Sequence, residues 1–211
     1  ILFIPRGVYR SIRAIGLDVN YPIIIKGEGV NVYNTNLALG GTSLLFDADV
    51  YGFYMVNPNN TAEGLHQIRI QDILLDGNSK GSTGALIEFY HNVKLDNVWI
   101  KGWLGHGIEM RDCWGCELNR VVTTHNRLNG IYMTRRNNSV TLNRCVSTAN
   151  AQINGYANLL ITGNTGGLSL ENLALNIVNC DFSYASAGST GVTESYNVVI
   201  LHSWGVNFKA N

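Results

Sequence analysis

The stretch "CWGCELNRV" places Cys113 and Cys116 in a C-x-x-C pair, a spacing that could do chemistry. Such a pair serves as a redox dithiol, as half of a zinc site, or simply as two packed side chains. A zinc site needs four converging ligands, and the sequence offers no second C-x-x-C and no paired histidines at ligand spacing. The remaining choice depends on the elements that hold the two cysteines.

Carboxylates recur in the segments "GALIEFY" (84–90), "HGIEMRD" (106–112) and "NGIYMTR" (129–135). If the isoleucines of these segments form one inward row, the outward row beside it holds Glu88, Glu109 and Tyr132. Adjacent strands lie ~4.8 Å apart, a separation at which one carboxylate pushes another toward its protonated form, as a general acid and its partner require. We predict Glu88, Glu109 and Tyr132 as catalytic residues of a glycosidase, with solvated wall residues relieved by Arg111 as the alternative.

Charged and aromatic residues flank that row. The next outward row holds Tyr90, Arg111 and Thr134, and the corner beyond it holds Asp112 and Arg135, with His91 as their equivalent one coil earlier. A lyase would use Tyr132 or His91 as its base and Arg111 or Arg135 to neutralise a uronate carboxylate. We therefore predict substrate contacts from these side chains: Tyr90, His91, Arg111, Asp112 and Arg135.

Two tryptophans, Trp99 and Trp103, flank Lys101 on a neighbouring side. An outward aromatic ring on a polar wall binds the C–H faces of sugars, so both are predicted to contact substrate, although one could instead fill an interface between protomers. His106 and His125 lie in turns around Gly107 and Asn126, where a hydrogen-bonding role is expected rather than metal binding.

The element that positions these residues is a repeat with apolar residues at positions 1, 3, 6 and 8. Its six copies begin at residues 68, 93, 116, 140, 175 and, more weakly, 199, so the period is about two dozen with one longer step. Positions 1 and 3 alternate as in a strand, two residues intervene, and positions 6 and 8 alternate again. Each copy is therefore predicted to be a bent pair of strands, and the carboxylate-bearing segments supply a third side of each coil.

The cysteines follow from this repeat. Cys116 occupies inward position 1, while Cys145 and Cys180 occupy inward position 6 of consecutive copies. They are predicted to be unpaired thiols that pack as small hydrophobic residues, as in a protein assembled in a reducing compartment. Cys113 lies outside the repeat and is the remaining candidate for thiol chemistry.

Composition restricts the classes of partner. The 211 residues include 15 basic and 15 acidic side chains, so no bulk charge favours nucleic acid or an anionic membrane. With 45% hydrophobic and 14% charged residues and 23 glycines, the chain is expected to be all-β. No segment approaches the ~18 apolar residues of a membrane span, no metal or cofactor is expected, and the apolar start "ILFIPRGVY" suggests a piece of a longer chain.

Coils of this size predict a single-stranded right-handed parallel β-helix. The segments "LFIPRGVYRS" and "PIIIKGEGV" resemble the first coils of the pectate-lyase-like superfamily, and "NGIYMTRRNNSVTLNRCVSTAN" resembles its middle coils. The resemblance implies one domain over residues 1–211, with the first coils in 1–60 and regular coils in 61–206. The sequence departs from the superfamily in two ways: it has neither the aspartate cluster that binds calcium in pectate lyases nor the D-P-H motif of mannuronan epimerases.

Within that superfamily the low charge and abundant Asn and Gly are most similar to phage tailspikes and tail-associated depolymerases. This resemblance implies a homotrimer of the virion, assembled in the host cytoplasm, that binds bacterial surface polysaccharide and hydrolyses it as an endoglycosidase. The alternatives are a non-enzymatic receptor-binding or structural β-helix of a virion, and a secreted bacterial polysaccharide lyase.

Overall fold

The computed structural model describes residues 1–17, 21–30, 41–57, 67–163, 174–185, 191–203 and 205–209. Within these ranges the chain forms strands and no helix. The strands are β1 (Leu2–Phe3), β2 (Gly7–Ser11), β3 (Ile15–Gly16), β4 (Ile23–Lys26), β5 (Thr42–Phe46), β6 (Phe53–Val56), β7 (Ile68–Asp76), β8 (Ala85–Glu88), β9 (Lys94–Lys101), β10 (Ile108–Arg111), β11 (Glu117–Asn119), β12 (Val122–Thr124), β13 (Ile131–Thr134), β14 (Thr141–Asn143), β15 (Val146–Thr148), β16 (Tyr156–Thr162), β17 (Leu175–Val178), β18 (Asp181–Ser183), β19 (Ser195–Leu201) and β20 (Val206–Lys209).

The strands stack in two parallel sheets. The second sheet runs in the order β19-β16-β13-β10-β8-β6-β3, and the remaining strands form the first sheet, whose main path is β1-β4-β7-β9-β11-β14-β17-β20. Hydrogen-bonded neighbours lie one coil apart in the chain, so every regular coil contributes to both sheets. Since crossovers between parallel strands are right-handed, the fold is the right-handed parallel β-helix that the repeat predicts.

The first sheet confirms the 1-3-6-8 repeat for its first five copies. Position 3 forms one unbroken inward row, in which each residue is paired with the next and at most 2% exposed: Ile70, Leu95, Leu118, Leu142 and Ile177. The polar exceptions at position 8 also point inward, and Thr123 Oγ1 donates to Ser147 Oγ at 2.7 Å. Ser147 Oγ in turn donates to Asn158 O at 2.8 Å, so both buried hydroxyls are satisfied.

The sixth copy was predicted in the wrong place. Val199 and Leu201 belong to β19, which pairs with β16 in the second sheet. Val206 and Phe208 instead take positions 1 and 3, opposite Leu175 and Ile177. The placement was wrong because alternation alone does not distinguish a strand of one sheet from a strand of the other. The predicted copy also included Trp204, which lies outside the described residues.

The second sheet differs from the predicted register by two residues. Ile108 pairs with Ala85 and not with Ile87, which lies opposite Met110, whereas Ile108 does pair with Ile131. Because the side-chain period of a strand is two, sliding by two residues keeps every apolar residue inward, and the apolar pattern cannot detect the shift. As a result Phe89, predicted inward, lies at the corner beyond β8.

Each coil turns at a residue in the left-handed conformation. Within the 1-3-6-8 repeat this residue is always position 5, with φ between 53° and 59°: Asp72, Asn97, Arg120, Arg144 and Asn179. The next corner uses Gly102, His125, Ala149 and Tyr184, and the corner beyond the second sheet uses Phe89, Asp112 and Arg135. The left-handed residue at position 5 turns the chain between positions 3 and 6, which explains why two residues separate these inward positions.

A ladder of asparagine amides begins at one of these corners, where Asn126 and Asn150 lie in successive coils, and continues to Asn158 in β16 and Asn197 in β19. Asn126 donates to Asn150 at 2.8 Å, Asn150 to Asn158 at 3.0 Å, and Asn158 to Asn197 at 3.2 Å. The first three are fully buried. We call Asn126, Asn150, Asn158 and Asn197 the asparagine ladder, and its bonds satisfy polar groups that strand pairing leaves open at the turn.

The segment "NAQINGYANLLITGNTGG" (150–167), which lengthens one step of the repeat and is compatible by sequence with an extra short coil or a loop, is in part a regular strand. Tyr156–Thr162 forms β16 in the second sheet, between β13 and β19. Residues 164–173 lie outside the described residues. No helix in the described part of the chain is long and apolar enough to cross a membrane.

Candidate functional site

Arg111 lies between the two predicted carboxylates. It is paired with Glu88 across β8 and β10, while Glu109 is paired with Leu86, so the carboxylates are not stacked on one row as predicted. The guanidinium instead forms an ion pair with each of them, at 2.6 Å from Nη2 to Glu109 Oε1 and 3.4 Å from Nη1 to Glu88 Oε2. Arg111 Nε also donates to Glu109 Oε1 at 2.8 Å. The carboxylates therefore share a cation rather than facing each other.

The ion pairs continue to the corner beyond the second sheet. Arg135 Nη1 lies 2.7 Å from Glu88 Oε1 and 3.3 Å from Asp112 Oδ2, and Arg136 Nε lies 3.3 Å from Asp112 Oδ1. Three carboxylates thus meet three guanidinium groups, so the formal charges cancel. We call these six residues the ion-pair network: Glu88, Glu109, Arg111, Asp112, Arg135 and Arg136.

Glu109 is 6% exposed although it points away from the core. A carboxylate buried on the outer face of a sheet must be covered by neighbouring side chains. Burial raises the pKa of Tyr51, and the charge of Glu109 raises it further, which puts the phenol beside the network. The Tyr51 ring lies 5.2 Å from that of Tyr54, which is 39% exposed and two coils before Glu109 on the same outward row. One side of the network is therefore bordered by tyrosines.

A second aromatic group lies on the other side. The His106 ring centroid is 4.9 Å from that of Tyr132 and 6.4 Å from that of Tyr156. His106 Nδ1 accepts the backbone N–H of Asn129 at 3.2 Å. Burial, and next the charge of Arg111, lowers the pKa of His106 to about 4, so the imidazole is neutral at pH 7.

The electrostatics of Arg111 follow from its neighbours. Burial lowers the pKa of Arg111, but the hydrogen bond and charge of Glu109, together with Glu88, outweigh that effect and raise it. The guanidinium is thus a permanent cation whose donors are directed at carboxylates. This arrangement fixes the outward side chains of β8 and β10 relative to each other.

Two predicted contact residues lie inside the protein. Tyr90 is 1% exposed, and its hydroxyl donates to Leu17 O at 2.7 Å. Trp103 is 1% exposed, with its ring 5.2 Å from Phe46. The outward placement on which both predictions of substrate contact rest is wrong, because these residues lie near corners where alternation no longer indicates the direction of a side chain.

Two other predicted contact residues, His91 and Trp99, lie away from the ion-pair network. His91 is level with Trp114, with ring centroids 5.2 Å apart, so the residue equivalent to Asp112 one coil earlier is Phe89 and not His91. Trp99 lies in β9 of the first sheet, where Lys101 Nζ is 5.6 Å from the ring centroid. The residues that the structure brings together are therefore Glu88, Glu109, Arg111, Asp112, Arg135 and Tyr132.

Sequence reasoning missed Tyr51 and Tyr54, and it treated His106 as a turn residue. The missing signal was a column of glycines that precedes the second-sheet strands: Gly52, Gly84, Gly107 and Gly130. A Cβ on Gly84 would meet Gly107 O at 2.5 Å, so no larger residue fits. Alignment on these glycines gives the observed register and brings the tyrosines of the preceding coil onto the site.

The cysteines are core residues, as the repeat predicts, with one correction. Cys116 and Cys145 are buried, whereas Cys180 is only partly buried. Cys113, the remaining candidate for chemistry, is fully buried, and burial raises its pKa well above its usual range. Among the described residues no group of three or more His, Cys, Asp or Glu side chains could hold a metal ion.

No protein-family profile matches this sequence, and no curated protein matches it. Among solved structures it is similar to ORF18 of Geobacillus virus E2, at 15% identity and a TM-score of 0.75 over 98% of this chain and 39% of that one. It is also similar to A-modules of two Azotobacter vinelandii mannuronan C-5 epimerases. The AlgE4 module is 15% identical, with a TM-score of 0.54, over 94% of this chain and 67% of that one. The AlgE6 module is 17% identical, with a TM-score of 0.55, over 95% of this chain and 66% of that one.

The chain thus spans about two fifths of the phage protein, and these similarities establish its fold as a parallel β-helix.

Proposed function

We propose that this protein binds bacterial surface polysaccharide on the outer face of its second sheet, as part of a phage particle. One observation carries the proposal: an outward carboxylate, Glu109, is held by Arg111 close to Tyr51, whose ring packs against the exposed Tyr54. Aromatic rings next to fixed hydrogen-bonding groups are the usual elements of a carbohydrate site, because rings pack on sugar C–H faces while polar groups bind hydroxyls.

The charges of the site favour an uncharged polysaccharide. Each guanidinium of the ion-pair network contacts a carboxylate, and the six formal charges cancel. An acidic sugar would have to displace one of these carboxylates, whereas a hydroxyl can add a hydrogen bond to a remaining lone pair. We expect neutral glycans to bind more tightly than uronates, with little dependence on salt.

The virion assignment rests on the similarity to a phage protein, and the homotrimer on an apolar outward row of the first sheet. In that row Trp99 lies between Leu74 and Val122, and Val146 follows. A second and third copy of the chain would cover this surface. Sedimentation should show a trimer that Trp99→Glu dissociates; a Trp99→Glu variant that sediments like the parent would refute this interface. A secreted bacterial protein is the alternative location.

Hydrolysis by Glu88, Glu109 and Tyr132 remains a prediction. A general acid must hold and release a proton, and both carboxylates contact guanidinium groups. The geometry therefore supports binding more directly than cleavage. A lyase would use Tyr132 as its base, with the neutral His106 packed against it.

The test is a panel of purified bacterial surface polysaccharides, neutral and uronate-containing, with mannuronan as the acidic reference. Tyr54→Ala should weaken binding of the preferred glycan by ~10-fold, the scale of one lost aromatic contact. Tyr21→Ala is the matched control, because Tyr21 is 79% exposed and lies in the connection before β4. Equal binding by both variants, or no binding to any polysaccharide, would overturn the proposal.

Cleavage is measured on the same panel. Hydrolysis would release reducing ends and fall by at least ~100-fold in Glu88→Gln and Glu109→Gln, whereas a lyase would form unsaturated, ultraviolet-absorbing products. Binding without either product identifies a non-enzymatic receptor-binding protein.

A further inference from the structure

Cys145 and Cys180 occupy the same position in adjacent coils. Their following residues, Val146 and Asp181, are paired between β15 and β18, and Asp181 N donates to Cys145 O at 2.9 Å. The backbone N–H of Cys145 donates to Cys180 Sγ at 3.4 Å. Paired strands lie ~4.8 Å apart, which falls within the ~4.4–6.8 Å between Cα atoms that a disulfide spans. The two residues are thus at a separation that a disulfide can span.

The two sulfur atoms differ in access. Cys145 is fully buried, whereas Cys180 is partly exposed. The hydrogen bond from Cys145 lowers the pKa of Cys180 to about 7, and the pKa of Cys145 is raised well above its usual range. An oxidant from solution therefore meets a thiolate at Cys180 first, with a second thiol directly behind it.

The other cysteine pair supplies an internal control. Cys113 and Cys116 are buried at 0% and 1% exposure. Cys113 Sγ donates to the carbonyl oxygens of Ile87 and Arg111, both at 3.3 Å. This C-x-x-C pair, for which the spacing alone left a redox dithiol open, is closed to reagents in the structure.

We propose that Cys180 and Cys145 form an oxidisable dithiol, and that a low-molecular-weight disulfide such as oxidised glutathione converts it to a disulfide between adjacent coils. The Cys180 thiolate attacks one sulfur of the small disulfide, which forms a mixed disulfide and releases one thiolate. Cys145 then loses its proton and attacks Cys180 Sγ, which releases the second thiolate. The protein loses two electrons and two protons, and one small disulfide becomes two thiols.

The bond would join the coil of β14 and β15 to that of β17 and β18. It closes a loop between residues 35 positions apart. Constraining the unfolded chain over that length should raise the midpoint of thermal unfolding by on the order of 10 °C. The site thus takes a thiol oxidant, and its product is a more stable pair of adjacent coils.

The experiment incubates the folded full chain with oxidised glutathione near neutral pH, blocks remaining thiols under denaturing conditions, and maps the peptides by mass spectrometry. The Cys145 and Cys180 peptides should be linked, with two hydrogens lost, while Cys113 and Cys116 are recovered as blocked thiols. In Cys145→Ser, Cys180 should stop at the glutathione adduct, and Cys180→Ser should form neither product.

Three results would overturn the proposal: a glutathione adduct on Cys180 of the parent protein with no linked peptide, no reaction at Cys180 at all, or oxidation of Cys113 and Cys116 at the same rate. Because the linked peptide is read in the parent protein, the result does not depend on whether the serine variants fold. It is likewise independent of polysaccharide binding.

Discussion

Asn150→Ala should remove about 3–5 kcal/mol of the free energy of unfolding. The Asn150 side chain is 0% exposed. Its Oδ1 accepts Asn126 N and Nδ2 at 3.1 and 2.8 Å, while its Nδ2 contacts the oxygens of Thr123, Ser147 and Asn158 at 3.0, 3.1 and 3.0 Å. Each net hydrogen bond contributes ~1 kcal/mol, and buried groups left without a partner cost more. Alanine supplies neither a donor nor an acceptor, so most of these contacts are lost together.

The assay is urea unfolding followed by circular dichroism, with the free energy obtained by linear extrapolation. Asn143→Ala is the matched control: Asn143 also bonds to an asparagine of the preceding coil, Asn119, at 3.0 Å, but on the outer face and only partly buried. We expect its loss to stay below ~1 kcal/mol. If both variants lose the same amount, or if Asn150→Ala loses less than ~1 kcal/mol, burial of the asparagine ladder is not what stabilises these turns.

Three further predictions concern the pKa of His106, the left-handed corner at Ala149 and the buried side chain of Trp103. The folded pKa of His106, about 4, lies below its ordinary 6.5, so stability is full above pH 6.5 and falls by up to about 3 kcal/mol toward pH 4 as the unfolded imidazole takes up a proton; unfolding free energies measured across that range should show a flatter slope in His106→Gln. Ala149 has φ of 54°, and Ala149→Gly should raise the free energy of unfolding in urea by ~1 kcal/mol, whereas a decrease would contradict a strained corner. Trp103→Ala should cost roughly 3–5 kcal/mol in the same assay while leaving polysaccharide binding unchanged, and weakened binding would place the indole at the site after all.

The first sheet could be predicted from the sequence because its pattern is asymmetric. Two residues separate positions 3 and 6, so a copy that slides by two residues puts a polar side chain inside. Ile70, Leu95 and Leu118 could therefore be aligned in only one way, and the structure has that alignment. The left-handed residue at position 5 gives the gap its physical cause.

The second sheet and the candidate site were less predictable, because plain alternation permits sliding by two. The predicted alignment, which differs by two residues from the observed one, placed Glu88 level with Glu109, whereas the structure pairs Glu88 with Arg111. Alignment on Gly84, Gly107 and Gly130, where a Cβ has no space, gives the observed register. Tyr51 and Tyr54 were missed because their coil has no carboxylate segment of the kind used to define the row.

The left-handed corners have a consequence for how such a protein changes over generations. Asp72, Arg120 and Asn179 share one backbone conformation although their side chains differ in charge and size, so the path of the chain does not depend on what the corner presents to solvent. Outward residues can then be exchanged one at a time while the coils keep their spacing. A whole coil can also be replaced by one of equal length from another solenoid, provided that it turns at the same positions. Recombination at the corners would change the outward residues while the stacked coils keep their core. Such an exchange is harder in a fold whose surface residues also determine the packing of the core.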